Sequence, residues 1–214
     1  MSKVFHVEPS SPSAEVVNLA ASRLRDGGVV IFPTETVYGL GAVSTGPKCY
    51  GSTELAEIKK RPAGVPIQLL VESENALDEY GMDVPAYAHK LAAKYWPGPL
   101  TLVVNAAPTV APEFRNSADN SIGLRCPASE LVRELIIAAG GPILATSANL
   151  HGQPAPNSFD EIDPAIADAA DMIIDGGSTE HGVHSTVVNC MGAEPVIQRA
   201  GALSEADILA AIAE

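Results

Sequence analysis

The stretch VVIFPTETVYGLGAV, from Val29 to Val43, decides the fold. Its first four residues are an apolar run that ends at Pro33, which is typical of a short buried strand. Residues 37–43 alternate in part between larger side chains and glycine, which indicates a second strand beside the first. Between the two strands lies a polar turn, with threonines on both sides of Glu35.

The segments outside this stretch alternate between helix and strand patterns. Because the two kinds of element interleave and some neighbouring strands read as hairpins, we expect an α/β fold, a mixed twisted sheet with packed helices around an open ligand cavity, in a single domain spanning residues 1–214. Residues 106–120 form the longest predicted loop and a candidate lid. Helices are predicted over residues 13–26, 53–60, 85–95, 129–139, 162–170 and 204–213, and further strands over residues 66–71, 100–105, 121–124, 143–146, 172–174, 185–189 and 195–198.

Composition narrows the class of protein. The 214 residues include 13 Lys and Arg against 26 Asp and Glu, a net charge of −13, which disfavours broad binding to nucleic-acid phosphates. Three cysteines (Cys49, Cys126 and Cys190) without a CxxC pair predict neither a disulfide framework nor a zinc site. The N-terminus has no signal-peptide core and no segment is long and apolar enough to span a bilayer, so we expect a cytoplasmic protein without membrane contact.

In so acidic a chain, the basic residues within motif-like segments stand out. IKKRP places Lys59 and Arg61 two residues apart at a predicted helix end, where they could bind a polyphosphate or complement the helix dipole. We expect both side chains to be exposed, so that replacing either with alanine leaves the fold intact. Arg199 is a lone cation in an apolar segment and needs a partner or an anionic ligand.

Three polar turns could contribute to a pocket or could be ordinary turn chemistry. PTETVYGLG could supply hydroxyls to a pocket floor, with Gly39 and Gly41 allowing close backbone approach, or could be only a strand–turn–strand. ATSAN, residues 145–149, follows a buried strand where open α/β sheets place ligands, but it also fits a turn and helix cap. GVHSTVV, residues 182–188, contains His184, which has metal-like spacing from the preceding His181. Two histidines are too few ligands for a zinc site, so we predict no metal bound by protein side chains.

Taken together, the motifs resemble those of the YrdC family of L-threonylcarbamoyladenylate synthases over residues 15–203. FPTETVYGLG, the KxRP of Lys59 to Pro62, YWPGPLTLVV, IGLRCP, ATSAN, DGG, HSTVV and the RxG of Arg199 to Gly201 occur in the family's order. Each motif alone is a weak signal, and the ordered set is specific.

The resemblance implies an ATP-dependent nucleotidyltransferase that adenylylates N-carboxy-threonine. L-threonine, bicarbonate and ATP, with Mg²⁺ accompanying the ATP, would give threonylcarbamoyl-AMP and pyrophosphate, and the product would pass to a tRNA threonylcarbamoyl transferase complex. Threonine contacts carry over to Thr36, Arg125 and Ser185, with Arg125 suited to the carboxylate. No protein nucleophile or general base is assigned. ATP contacts carry over to Lys59, Arg61, Ser121, Ser147, Asn149 and Arg199.

The chain departs from the family pattern at several positions. A histidine common in the family is Leu70 here, and the second domain of longer relatives is missing, which implies the single-domain form. Two alternatives therefore stay open: a double-stranded RNA-binding module, or a paralogue that uses a carbamoyl substrate other than threonine. Direct contact with RNA is expected to be weak because of the acidic charge.

Overall fold

A computed structural model describes residues 3–43, 51–61 and 67–213 of the chain, with only the backbone described at residues 51–53 and 113. Cys49 and Pro62 lie outside the described residues. Two short 3-10 turns, Pro112–Phe114 and Phe159–Glu161, occur in the connections. The helices are α1 (Ala14–Arg25), α2 (Gly51–Ile58), α3 (Ala76–Tyr80), α4 (Ala86–Tyr95), α5 (Glu130–Ala139), α6 (Pro164–Ala169) and α7 (Glu205–Ala213), and none of these described helices could cross a lipid bilayer.

Eleven strands in the described residues form one mixed sheet. They are β1 (Lys3–His6), β2 (Val30–Pro33), β3 (Tyr38–Val43), β4 (Gln68–Leu70), β5 (Gly81–Met82), β6 (Leu100–Ala106), β7 (Ser121–Arg125), β8 (Ile143–Ser147), β9 (Met172–Asp175), β10 (Thr186–Asn189) and β11 (Val196–Arg199). The spatial order is β1-β9-β2-β3-β8-β4-β7-β6-β10-β11, and β5 pairs with β6. Parallel pairs (β1–β9, β9–β2, β4–β7 and β6–β10) are mixed with antiparallel ones, which confirms the predicted mixed α/β sheet.

Local sequence explains where the helices begin and end. Ser13 occupies the N-cap position of α1, and Arg23 and Arg25 lie in its last turn, where positive charge complements the helix dipole. Helix α5 ends at Gly140, whose φ of 83° is a left-handed conformation that glycine adopts without steric cost.

Alternation along the strands divides the apolar side chains between the two faces of the sheet. Leu69, Leu102 and Leu124 point to one face and pack with residues of α2, α3, α4, α6 and α7. Phe32 and Ile143 point to the other face, where α1 and α5 pack over them. The helices α1 and α5 cover only part of this second face, and the uncovered part lies over β4, β7, β6, β10 and β11.

Gly39 and Gly41 of β3 make room for a buried aromatic ring. A Cβ added at Gly41 would lie 2.6 Å from Cε1 of Phe32 and 3.0 Å from Cγ2 of Ile143, and one at Gly39 would lie 3.1 Å from Cε2 of Phe32. The close approach predicted for these glycines is therefore to the protein's own core. For Gly39 and Gly41, the purely structural interpretation is therefore correct, and the approach of a ligand to their backbone is not.

Three elements were not predicted from the sequence. Strand β1 is mostly exposed at the sheet edge, and its KVFH segment pairs with β9 from the far end of the chain. Helix α3 and strand β5 have only five and two residues, and their order comes from packing against β7 and β6 rather than from periodicity.

Candidate functional site

A cavity of about 410 Å³ lies over the uncovered part of the second sheet face. Seven of the nine predicted binding residues line it: Thr36, Arg61, Ser121, Arg125, Ser147, Ser185 and Arg199. They come from segments spread between residues 36 and 199, and the order of the strands brings them together. Sequence reasoning missed further polar lining residues, namely Gln68, Thr101, Asn116, Asp119, His184 and Gln198.

Arg125, at the end of β7, is held in the cavity wall by a buried ion pair. Its Nη2 donates to Oε1 of Glu35 at 2.7 Å, its Nε donates to the carbonyl of Gly98 at 3.2 Å, and both charged residues are buried. A guanidinium has five N–H donors, so these two bonds leave others to face a ligand. Burial alone would raise the pKa of Glu35, but the charge and hydrogen bond of Arg125 outweigh it, and the pKa is lowered.

The two threonines beside Glu35 have different roles. The Thr34 hydroxyl donates to the carbonyl of Val37 at 2.7 Å and accepts the backbone N–H of Thr36, which is ordinary turn chemistry. Because Thr34 has used its only hydrogen, Thr36 must be the donor in their 2.8 Å hydroxyl–hydroxyl bond. Thr36 is one of the residues that line the cavity, and its hydroxyl hydrogen is engaged with Thr34.

These two bonded pairs form a partition between two cavities. Arg125 and Thr36 line the large cavity, whereas Glu35 and Thr34 line a second cavity of about 310 Å³ near the start of α5. The partition is thus one layer of side chains thick, bridged by the Arg125–Glu35 and Thr36–Thr34 bonds.

Lys59 is not an exposed charge, contrary to our expectation. It is 3% exposed, and its Nζ donates to the carbonyl of Ser147, to the carbonyl of Asn149 at 2.6 Å and to Oδ1 of Asn149 at 3.1 Å. Burial and the nearby charge of Arg61 lower its pKa to about 8. Our prediction that Lys59→Ala leaves the fold intact assumed an exposed side chain, and that assumption is wrong.

Lys59 and Asn149 lie behind the cavity wall and hold the ATSAN turn. The Asn149 side-chain amide donates to the carbonyls of Leu150 and Gln153, so its polar atoms are occupied within the turn. Ser147, two residues earlier, borders the cavity. The turn thus presents Ser147 to the cavity, and Asn149 and Lys59 support it from behind.

A chain of hydrogen bonds crosses the cavity floor from β11 to β4. Arg199 donates through Nη2 to both the carbonyl and the hydroxyl of Ser185, at 2.9 and 3.1 Å. The hydroxyls of Ser185 and Thr101 are 2.8 Å apart, and Thr101 donates to Oε1 of Gln68 at 2.8 Å. A single polar residue within each of two apolar strands, Thr101 in LTLVV and Gln68 in IQLLV, is the sequence signal that could have located this floor.

The electrostatic environment of the cavity is cationic despite the acidic chain. Burial and the charges of Arg199, Lys59 and Arg125 lower the pKa of His184, which borders the cavity. Burial likewise lowers the pKa of Arg61 and, together with the charge of Arg125, that of Arg199. Such a site is suited to anions, since each bound negative charge relieves repulsion among these cations.

Leu70, which replaces the family histidine, does not line the cavity. It lies on the same sheet face as Gln68 and pairs in register with Arg125, but its side chain is buried beneath α5. The cavity therefore lacks a side chain from this position, and the polar group that β4 contributes comes from Gln68 instead.

Comparison with known proteins gives a consistent result. The Sua5/YciO/YrdC family profile, described as "Telomere recombination", matches residues 22–201. The threonylcarbamoyl-AMP synthase of Pyrococcus abyssi is 37% identical over 198 residues, which cover 92% of this chain and 57% of that protein. The chain thus spans a little over half the length of this curated relative.

Solved structures share the fold. P. abyssi Sua5, in a crystal structure complexed with L-threonine, superposes with a TM-score of 0.89 and 34% identity over 99% of this chain and 61% of that one. E. coli YciO superposes with a TM-score of 0.84 and 27% identity over 94% of this chain and 96% of that one. With a profile match across most of its length and these relatives, the chain belongs to the Sua5/YciO/YrdC family.

Proposed function

We propose that this protein is an L-threonylcarbamoyladenylate synthase, which makes threonylcarbamoyl-AMP and pyrophosphate from L-threonine, bicarbonate and ATP. The observation that carries the proposal is the convergence of Arg61, Arg125 and Arg199 on one cavity in a chain of net charge −13. Arg125 has N–H donors beyond its bond to Glu35, the bonds of Arg199 go to neutral groups of Ser185, and both substrates of this reaction are anions that such guanidinium groups bind well.

The chemistry requires the protein to position two anions rather than to react with them. A carbamate oxygen of N-carboxy-threonine attacks the α-phosphorus of ATP, a P–O bond forms, and the bond to the β-phosphate oxygen breaks to release pyrophosphate. Orientation and neutralisation of the phosphoryl charge supply most of the rate enhancement in such reactions. Arg61 and Arg199 are suited to the triphosphate, and no side chain needs to act as a nucleophile.

The amino acid would lie against the partition. The remaining N–H donors of Arg125 match a carboxylate, and the acceptor oxygen of Thr36 suits the amino or hydroxyl hydrogen of threonine. Threonine is the ligand named for the P. abyssi Sua5 structure, which supports this choice among amino acids. Ser185, beside Arg199, would adjoin both substrates.

Lys59 and Asn149 would act through the ATSAN turn that they hold, placing Ser147 against the nucleotide, and Ser121 of β7 would contact it from the cavity wall. Mg²⁺ would arrive with ATP, since among the described residues no three His, Cys, Asp or Glu side chains are grouped to hold a metal ion. The ion would neutralise charge on the phosphates.

Pyrophosphate release tests the proposal. The purified protein should release pyrophosphate from ATP, Mg²⁺ and bicarbonate much faster when L-threonine is present. Equal rates with and without threonine would contradict it. If carbamoyl phosphate drives release and threonine does not, the protein is the carbamoyl-using paralogue. If threonine does drive release, the product threonylcarbamoyl-AMP would serve a separate tRNA threonylcarbamoyl transferase complex, which should form modified adenosine when added with tRNA.

A further inference from the structure

The hydrogen-bond chain across the cavity floor has a fixed direction. Thr101 has one hydroxyl hydrogen and donates it to Oε1 of Gln68. In the 2.8 Å contact between Thr101 and Ser185, Ser185 must therefore be the donor. The Ser185 oxygen in turn accepts from Nη2 of Arg199. In this chain of hydrogen bonds, the hydroxyl hydrogens of Ser185 and Thr101 thus both point from β11 toward β4.

This direction orients the carboxamide of Gln68. Its Oε1 faces Thr101, so its Nε2, with two N–H donors, is turned away from the chain. Within the described residues Nε2 has no protein acceptor, and the half-buried side chain borders the cavity. A donor pair that the protein leaves open in a cavity wall is suited to an oxygen of the ligand.

Gly123 makes this arrangement possible. It lies on β7 between the strands of Gln68 and Thr101, and a Cβ added there would lie 3.5 Å from Cβ of Gln68 and 3.5 Å from Cγ2 of Thr101. Without a side chain at this position, the Gln68–Thr101 bond spans β7, and the floor beside it stays open.

We infer that Gln68 is a specificity-determining contact of the amino-acid substrate, donating through Nε2 to one of its oxygens, with Thr101 as the positioning residue. Gln68 lies on the same face of β4 as Leu70, which pairs in register with Arg125, and Gln68 and Arg125 line the same cavity. Gln68 and Arg125 would thus bind neighbouring oxygens of one ligand. This inference rests on the proposed function.

Four variants test it by steady-state kinetics with separate titrations of threonine and ATP. Gln68→Glu keeps the acceptor for Thr101 and replaces the donors with a negative charge, and Gln68→Met removes both. Each should raise the KM for threonine about tenfold or more, since a hydrogen bond to a charged group is lost, and should leave the KM for ATP within about threefold. Thr101→Val should have a similar but smaller effect, and Thr101→Ser should restore wild-type values. Asn18→Asp, an exposed amide-to-acid control on α1, should match wild type.

The outcomes separate the two proposals. If Gln68→Glu and Gln68→Met leave the threonine KM within about twofold of wild type, or raise the KM of ATP equally, the inference about Gln68 is overturned while the proposed function stands. A wild-type protein that does not respond to threonine would overturn the proposed function, and the amino-acid contact with it. Thermal melts verify that each variant is folded, and calorimetric titration of threonine gives a second readout that does not depend on turnover.

Discussion

The sheet face on which α1 and α5 pack has two halves. Side chains alternate along the strands in the same way in both halves, but they are apolar in one half and largely polar in the other. In the half beneath α1 and α5, Phe32 and Ile143 fill the space and the glycines of β3 admit the Phe32 ring. In the half over β4, β7, β6 and β10, Thr101 and Arg125 occupy equivalent alternate positions, and no helix of the described chain covers them. The comparison shows that the absence of a covering helix and a change of side chains suffice to turn a core surface into a binding floor.

The largest expected loss of stability follows from a substitution at the boundary between the halves. Glu35→Ala leaves Arg125 buried without its partner, and breaking one side of a buried ion pair typically costs about 3–5 kcal/mol. Chemical denaturation should show this loss at pH 7. Glu35→Gln is the matched control, because the amide oxygen can still accept from Arg125, and it should lose less.

The same pair predicts a dependence of stability on pH. The pKa of Glu35 is lower in the folded protein than its ordinary value of 4.5, so its ionisation contributes stability above that pH. This contribution should disappear as the pH falls below about 4.5 and through the lower folded-state pKa. If Glu35→Ala and wild type keep the same stability difference at pH 7 and at pH 3, the pair does not contribute as described.

Within the covered half, Gly41→Ala should cost about 1–3 kcal/mol, because its new methyl group would lie 2.6 Å from the buried Phe32 ring. Urea denaturation measures the change. A variant as stable as wild type would show that the covered half can expand, and that its packing does not distinguish it from the open half.

Gly123→Ala is the counterpart in the open half and should change stability by less than about 0.5 kcal/mol, since the new methyl group makes only ordinary contacts at 3.5 Å. It should nevertheless weaken ligand binding by occupying the floor between Gln68 and Thr101. Denaturation and calorimetric titration on the same preparation separate the two effects. A large loss of stability without a change in affinity would assign Gly123 to the core.

The smallest effect concerns the proton on Lys59. Its pKa of about 8 means that a fraction of the side chains is neutral at pH 8.5, and a bound triphosphate should favour the charged form. ATP binding should then take up a fraction of a proton at pH 8.5, as measured by calorimetry in buffers of different ionisation enthalpy. Lys59→Arg stays charged, so this uptake at pH 8.5 should be lost.

The sequence predicts the covered half better than the open one. Apolar runs such as VVIF and the cap and stop signals of α1 and α5 were sufficient to predict those elements. The motifs located seven of the cavity residues, but the roles of Lys59, Gln68 and Thr101 depend on which strands become neighbours. Strand β4 lies between β8 and β7, an order that no local pattern encodes. A single polar residue in an apolar strand, such as Gln68 or Thr101, does not indicate which residue it will contact.

The partition between the two cavities connects their chemistry. Because Thr34 and Thr36 share one hydrogen bond and Glu35 and Arg125 another, two wall residues of the smaller cavity are each bonded to a wall residue of the larger one. A substitution that faces only the smaller cavity, such as Thr34→Val, would therefore free the Thr36 hydroxyl to rotate and change how it meets a ligand on the other side. A sequence change on the other side of the partition would in this way alter recognition of the substrate without altering any residue that contacts the substrate.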